Sequence, residues 1–250
     1  MKNIHYPRVL NYVWCILLLM SLTTAAMAAG EAPVNLGSAA NFAVLAGSTV
    51  TNVPGDGTTI TGDLGVSPGT AVTGFPPGVV VGTIHAGDPV AAQAQLDLTV
   101  AYNDAAGRST APITVSGNLG GMTLYPGLYK STSSLAISSG DLTLDAQGDP
   151  NAVFIFQMAS TLTTTSGRQV ILAGSAKASN IFWQVGSSAT FGTTSVFKGT
   201  ILADISITFN TGASLDGRAL ARSGAVTLSG NTVIAKPLLS ACDLLWRLYQ

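Results

Sequence analysis

Few residues of this 250-residue chain could do covalent chemistry. Beyond residue 28 there is one histidine, His85, and the whole chain holds one glutamate, Glu31. A lone histidine is more often a structural residue than a ligand or a base. No His-x-x-x-His, Cys-x-x-Cys, Gly-x-Ser-x-Gly or phosphate-loop pattern occurs. Cleavage of a glycan would need paired carboxylates, and a calcium site would need a cluster of acidic ligands. Asp141, Asp145 and Asp149 are the only clustered acids after Gly107. Their spacing fits no metal loop, and Asp149-Pro150-Asn151 reads as a turn. Asp204 and Arg222 fall at equivalent places in neighbouring repeats and read as an ion pair. These residues predict no enzyme, no cofactor and no metal.

Composition points to a surface instead of a cleft. Charged residues make up 9% of the chain, and aromatics 7%. A soluble protein normally covers itself with charge. Here hydroxyls, amides and small side chains must do that work. Loss of a leader carrying Lys2 and Arg8 leaves 9 basic against 12 acidic residues. Bulk charge therefore attracts neither nucleic acid nor an anionic membrane, and neither is expected as a partner. The two cysteines are Cys15 and Cys242. With Cys15 in the leader, no internal disulfide is available, and stability must come from stacking.

The elements that would carry such a surface repeat along the chain. Gly199-Thr200-Ile201-Leu202-Ala203 aligns with Gly217-Arg218-Ala219-Leu220-Ala221. Ser206-Ile207-Thr208 aligns with Ala225-Val226-Thr227, and Thr211-Gly212-Ala213-Ser214 with Ser229-Gly230-Asn231-Thr232. Earlier, Phe154-Ile155-Phe156-Gln157 matches Ile181-Phe182-Trp183-Gln184, and Thr161-Leu162-Thr163-Thr164 matches Ser188-Ala189-Thr190-Phe191. A unit this short cannot bury its own apolar side and must stack on copies of itself. Frequent glycines and apolar alternation favour short strands joined by tight corners, and so a β-solenoid. In the N-terminal part, Phe42–Thr51 reads as a first coil, Thr58–Gly69 as a second, and Thr70–Phe75 as the start of a third. One helix is expected between His85 and Gly107. Asp88 suits its N-cap and Pro89 its first position, and Val90, Ala94, Leu98, Ala101, Tyr102 and Ala105 form its apolar stripe. Residues 1–28 read as a secretory signal peptide, with the basic Lys2 and Arg8, an apolar Val13–Leu22 and the small-x-small Ala26-Met27-Ala28. That apolar run falls short of the ~20 residues of a membrane span. Residues 29–236 form the solenoid domain. Residues 237–250 differ in composition and read as a tail with a short helix.

Several stretches resemble the bacterial and fungal ice-binding (antifreeze) family. They are Leu36–Ala46, Ile60–Pro68, Asn151–Gln157, Ile181–Val185, and Gly199–Ala203 with Gly217–Ala221, and the resemblance spans Val34–Lys236. It implies an all-β solenoid, a right-handed discontinuous β-helix of triangular cross-section, with one long α-helix alongside. It also implies an N-terminal coil closing on the C-terminal end. Some members insert a cap, and the short turns between Thr51 and Thr70 leave no room for a large one. The resemblance further implies ice as partner, bound by a flat Thr/Ser face that follows a Thr-Ala/Gly-x-Thr/Asn pattern. Thr70-Ala71-Val72-Thr73 matches this pattern, Thr211–Ser214 matches with Ser last, and Ser229–Thr232 departs at the first place. Gly192-Thr193-Thr194-Ser195 and Thr165-Ser166-Gly167-Arg168 are weaker equivalents. The candidate ice contacts are thus Thr70, Thr73, Thr165, Thr193, Ser195, Thr211, Ser214, Ser229 and Thr232. The expectation is a secreted, monomeric ice-binding protein that slows ice growth and recrystallisation. The alternative is a secreted adhesive module that binds polysaccharide or a cell surface.

Overall fold

A computed structural model describes residues 30–55 and 57–235. The leader expected at 1–28, the tail at 237–250 and both cysteines lie outside the described residues. Each short coil leaves its backbone groups unpaired until another coil lies on it, and the result is a parallel stack with three faces. The first face joins Ile84–Ala86, Asp63–Val66, Phe42–Ala46, the second halves of Ser214–Ala221 and Val196–Ala203, then Ile181–Val185, Phe154–Met158, Gly127–Ser131 and Ile113–Thr114. The second face is an eight-stranded sheet from Ala71–Thr73 to Gly117–Asn118. The third joins Val79–Val81, Thr59–Thr61, Thr232–Ile234 and the first halves of the two eight-residue strands, and an isolated bridge at Gln169 and Val196 carries it on to Val170–Ala173, Leu142–Asp145 and Thr123–Leu124.

The aligned repeats pair in register. Gly199 sits on Gly217, Ile207 on Val226, Phe154 on Ile181 and Leu162 on Ala189. Gly199 and Gly217 turn their strands from the third face to the first, with φ of 108° and 145°. A Cβ on Gly217 would lie 2.0 Å from the Gly199 carbonyl oxygen, so no other residue fits there. The N-terminal coils divide differently from the sequence expectation. Thr59–Thr61 closes the first coil and Asp63–Val66 opens the second, so Thr58–Gly69 straddles two coils. Gly62, at φ 123°, makes that turn, and the pairing of Asp63–Val66 with Phe42–Ala46 shifts register beside it, between Phe42 and Val44.

The stack does not follow chain order. Phe42–Ala46, Thr49–Asn52 and Thr59–Thr61 pair with the last coil, at Ser214–Ala221, Val226–Leu228 and Thr232–Ile234. The next coil, Asp63–Val81, lies on that one. The expected closure of the N-terminal coil on the C-terminal end is therefore present, and the helix links the two separated runs of coils.

Inside, rings stack along the axis. Tyr129, Phe156 and Trp183 are nearly parallel, with centroids 5.0 and 4.0 Å apart. Phe197 passes the stack to Phe191 and Phe209. The helix, α1, spans Pro89–Gly107 and is capped by Asp88, whose Oδ1 accepts from the Ala91 amide at 2.9 Å. Ala91, Ala94, Leu98, Ala101, Tyr102 and Ala105 are buried against the first face. Val90, expected in this stripe, is exposed, and Ala91 takes its place, because at 100° per residue Ala91 falls within the arc of the other five and Val90 at its edge. At the other end Gln157 Nε2 donates to the carbonyls of Ala105, Ala106 and Arg108, which satisfies last-turn acceptors.

Asp97 ties the N-terminal segment to α1. Its Oδ2 accepts from the Ser38 hydroxyl at 2.6 Å and the Ser38 amide at 2.7 Å, and Gln93 donates to Oδ1. These bonds, led by the Ser38 hydroxyl, hold its carboxyl below the usual carboxylate range. A depressed carboxyl contributes stability above its unfolded value and loses it as pH falls through the folded one. The melting temperature should therefore drop as acid titrates Asp97, and Asp97→Asn should melt lower at neutral pH with a flatter acid limb. Thermal melts from pH 7 to pH 2.5 check both.

Candidate functional site: a threonine face

On the second face, residues alternate in and out along strands of three or four residues, and the outward positions are filled by hydroxyls. Thr73 faces Thr51, Thr51 faces Thr227, and the column runs on through Thr208, Thr190 and Thr163. Six threonines thus occupy six successive coils before the column ends in Ala136 and Asn118. The parallel column two residues earlier holds Ala71, Thr49, Ala225, Ser206, Ser188, Thr161, Ser134 and Ser116. Hydroxyl bonds cross the coils, from Thr73 to Thr51 at 3.2 Å and from Thr161 to Ser134 at 2.8 Å. No charged residue falls in either column.

The inward residues hold this surface flat. Val72, Val50, Val226, Ile207, Ala189, Leu162 and Leu135 point to the core. Phe191 and Phe209 stack beneath the middle coils, with centroids 4.7 Å apart. Coils repeat at ~4.8 Å and same-side residues along a strand at ~6.7 Å, so the columns form a two-dimensional grid. Threonine suits it, since a β-branched side chain is stiff at χ1 and loses little rotamer entropy on contact.

The candidates named from the sequence fall in several places. Thr73 stands in the threonine column. Thr165 and Ser229 lie two residues past Thr163 and Thr227, at the edge of the same face, and Thr70 immediately precedes its Ala71–Thr73 strand. Thr193 and Thr211 are exposed at the corner between the second and third faces. Ser214 and Thr232 stand side by side on the third face. Ser195 is fully buried and reaches no surface, because it turns into the core at that corner. Thr49, Thr51, Thr161, Thr163, Thr190, Thr208 and Thr227 were not among the candidates. The aligned triplets Ser206-Ile207-Thr208 and Ala225-Val226-Thr227 carried the signal, in which an apolar residue sits between two small outward positions.

The third face holds a smaller patch of related chemistry. Val79, Thr59 and Thr232 line up in one column, and Val81, Thr61 and Ile234 in the next. All six are β-branched, and Val79 and Val81 are more than half exposed. Further along, this face turns charged, with Lys198 3.7 Å from Asp216 and Arg168 3.6 Å from Asp141.

The groups that might have done chemistry have structural partners. His85 Nδ1 lies 2.7 Å from Asp88 Oδ2, and its ring meets Phe42 edge-on. Asp145 and Asp149 accept from amides two residues on, and Asp141 accepts from the Gln169 amide. Arg222 and Asp204 pair at 2.8 Å, as the repeat alignment implied, and Arg222 lies over the Tyr102 ring. Among the described residues no group of three or more His, Cys, Asp or Glu side chains could hold a metal ion, and no helix is long and apolar enough to cross a membrane.

A discontinuous parallel β-helix with a helix on one face and an uncharged threonine grid on another defines the class of protein. The chain belongs to the Ice-binding-like family, whose model matches residues 44–234. It is 52% identical to an ice-binding protein of Nostoc sp. (strain HG1) over 79% of this chain and 72% of that one. An ice-binding protein of Flammulina populicola is 38% identical over 88% and 95% of the two chains. The crystal structure of an ice-binding protein from an Antarctic biological consortium superposes with a TM-score of 0.80 at 65% identity, covering 82% of this chain and 91% of that one.

If the aromatic stack sets the flatness of the grid, Phe191→Ala should cost about 3–5 kcal/mol, the usual toll of emptying a buried ring site. Chemical denaturation at equilibrium checks this.

Proposed function

We propose that this protein is secreted, acts as a monomer and adsorbs to ice through the threonine face, slowing ice growth and recrystallisation without covalent chemistry. The observation that carries this reading is the unbroken column Thr73, Thr51, Thr227, Thr208, Thr190, Thr163 beside a second column of small and hydroxyl residues, all without charge. An ionic side chain would hold its own hydration shell against an ice surface. A threonine methyl leaves water readily, while the hydroxyl can hold one water in an ice-like place. The rigid grid orders several such waters at once, so little entropy remains to be lost on contact. Family membership and relatives named as ice-binding proteins support ice as the target. The leader-like residues 1–28 support secretion. The adhesive alternative has less in its favour, since stacking on sugar rings calls for exposed aromatics and neither column of the grid holds one.

The patch Val79, Thr59, Thr232, Val81, Thr61, Ile234 favours a second, lesser ice contact on the third face. Thr232 stands there among stiff β-branched residues, within the coils that also carry Thr73, Thr51 and Thr227.

Thr208→Lys and Thr190→Lys should each abolish most thermal hysteresis and ice shaping, while stability stays within about 0.5 kcal/mol of the parent at exposed Thr190 and about 1 kcal/mol at half-buried Thr208. Thr232→Lys should leave hysteresis mostly intact and remove staining of one ice plane by labelled protein. Full activity in both threonine-face variants would reject that face as the binding surface.

A further inference from the structure

The inward positions at the corner between the second and third faces are apolar or small through most of the stack. Apart from Thr164, whose hydroxyl accepts from the Gly192 amide, they become polar at one place. The inward residues Phe191, Phe209 and Leu228 are followed, on the next coil, by Asn52. A neighbouring inward column runs Ser195, Ala213, Asn231, Thr58, each just before a residue of the third-face register. Asn52, Thr58 and Asn231 are all essentially buried. They occur where the first coil lies on the last, the junction in the stack that continuous chain does not make.

Their bonds form one chain across four coils. Asn52 Nδ2 donates to the Gly74 carbonyl at 3.1 Å. The Thr58 hydroxyl donates to Asn52 Oδ1 at 2.6 Å and accepts from the Asn231 amide at 3.1 Å. Asn231 Nδ2 donates to the carbonyls of Asn210 and Ala213, both at 2.9 Å, and its Oδ1 accepts from the Ser229 amide. The Thr58 Oγ1 is thus the bridging atom, with its proton given to the N-terminal coil and its lone pair to the C-terminal one.

Apolar contacts alone specify this junction weakly. On the second and third faces its strands are three or four residues long, and Val50 meets Val226. A slide of two residues would keep every side chain on its own side of the sheet. A buried polar group forbids such a slide, because each misplaced donor or acceptor would be left unpaired out of water. We propose that Asn52, Thr58 and Asn231 are positioning residues that lock the register of the N-terminal coils on the C-terminal coils, and so keep Thr73 and Thr51 in line with Thr227 and Thr208. This role for the grid rests on the ice-binding reading above, while the register lock itself does not.

Thr58→Val keeps the volume and removes the hydroxyl, and Thr58→Ser keeps the hydroxyl. Amide exchange over residues 42–61 at 4 °C should quicken about 10- to 100-fold in Thr58→Val, the consequence of leaving buried partners unpaired, and stay near the parent in Thr58→Ser. Exchange over 154–185, at the far side of the stack, should not change in either. Thermal hysteresis should fall several-fold in Thr58→Val and be restored in Thr58→Ser. Equal exchange in the two variants, or quickening spread evenly over the whole stack, would overturn the register lock. Faster exchange confined to 42–61 with hysteresis unchanged would keep the lock and overturn its link to the grid. Thr208→Lys in the same assays reports separately on the ice-binding reading, since it should lose hysteresis with exchange unaltered.

Discussion

Everything in this molecule depends on the hydrogen bonds that one short coil makes with the next. A strand of three to five residues has no stability alone, and a coil of such strands has one side toward a core it cannot close. Stacking solves both problems. It pairs the backbone along three faces, and it brings like residues above like, so that rings stack on rings inside and threonines stand beside threonines outside. Regularity of the outer surface is a by-product of regularity in the core. A surface built this way needs no loop to be held in place. Its geometry is the geometry of the sheet.

The same logic explains why so little charge is needed. Most proteins keep their loops and helices soluble with ionic side chains, yet neither column of this grid carries one. The ionic residues are instead spent at fixed structural points: Arg108 with Asp104 and Glu31 at the end of α1, Arg222 with Asp204 between coils, and Lys198 with Asp216 on the third face. Asp88 and Asp97 serve the start of the helix and its hold on the N-terminal segment. What remains on the threonine face is neutral and small.

Much of this was legible in the residues. Repeats such as Gly199–Ala203 over Gly217–Ala221 fixed both fold and register, because a solenoid writes its stacking directly into sequence spacing. Asp88, Pro89 and the alanine stripe placed the helix nearly to the residue. The coil boundary at Gly62 was less visible, since nothing in Thr59-Ile60-Thr61-Gly62-Asp63-Leu64 distinguishes a turn between coils from a turn within one. The face itself was harder still. A threonine in such a repeat points inward, outward or into a corner according to a single residue of offset, and the pattern carried over from the resemblance favoured corner segments such as Thr193–Ser195 and Thr211–Ser214. The triplets with an apolar centre, repeated from Thr161 to Thr227, state the outward positions more directly, and the strand pairing shows why.

The discontinuity of the stack has a consequence for how the protein is made. A ribosome delivers the coil at 42–61 first and the coil at 214–234 last, yet the two are neighbours. Until the C-terminal coils have emerged, the two early coils rest only on each other and Thr51 has no Thr227 beside it. The grid therefore forms as two separate runs, Thr73 with Thr51 and Thr163 through Thr227, and is completed in one late event, when the C-terminal coils meet the N-terminal ones. A polypeptide cut short at Ala213 would carry five of the six threonines and lack Thr227, the one that joins Thr51 to Thr208. Every molecule that presents the whole face has, by that fact alone, been finished.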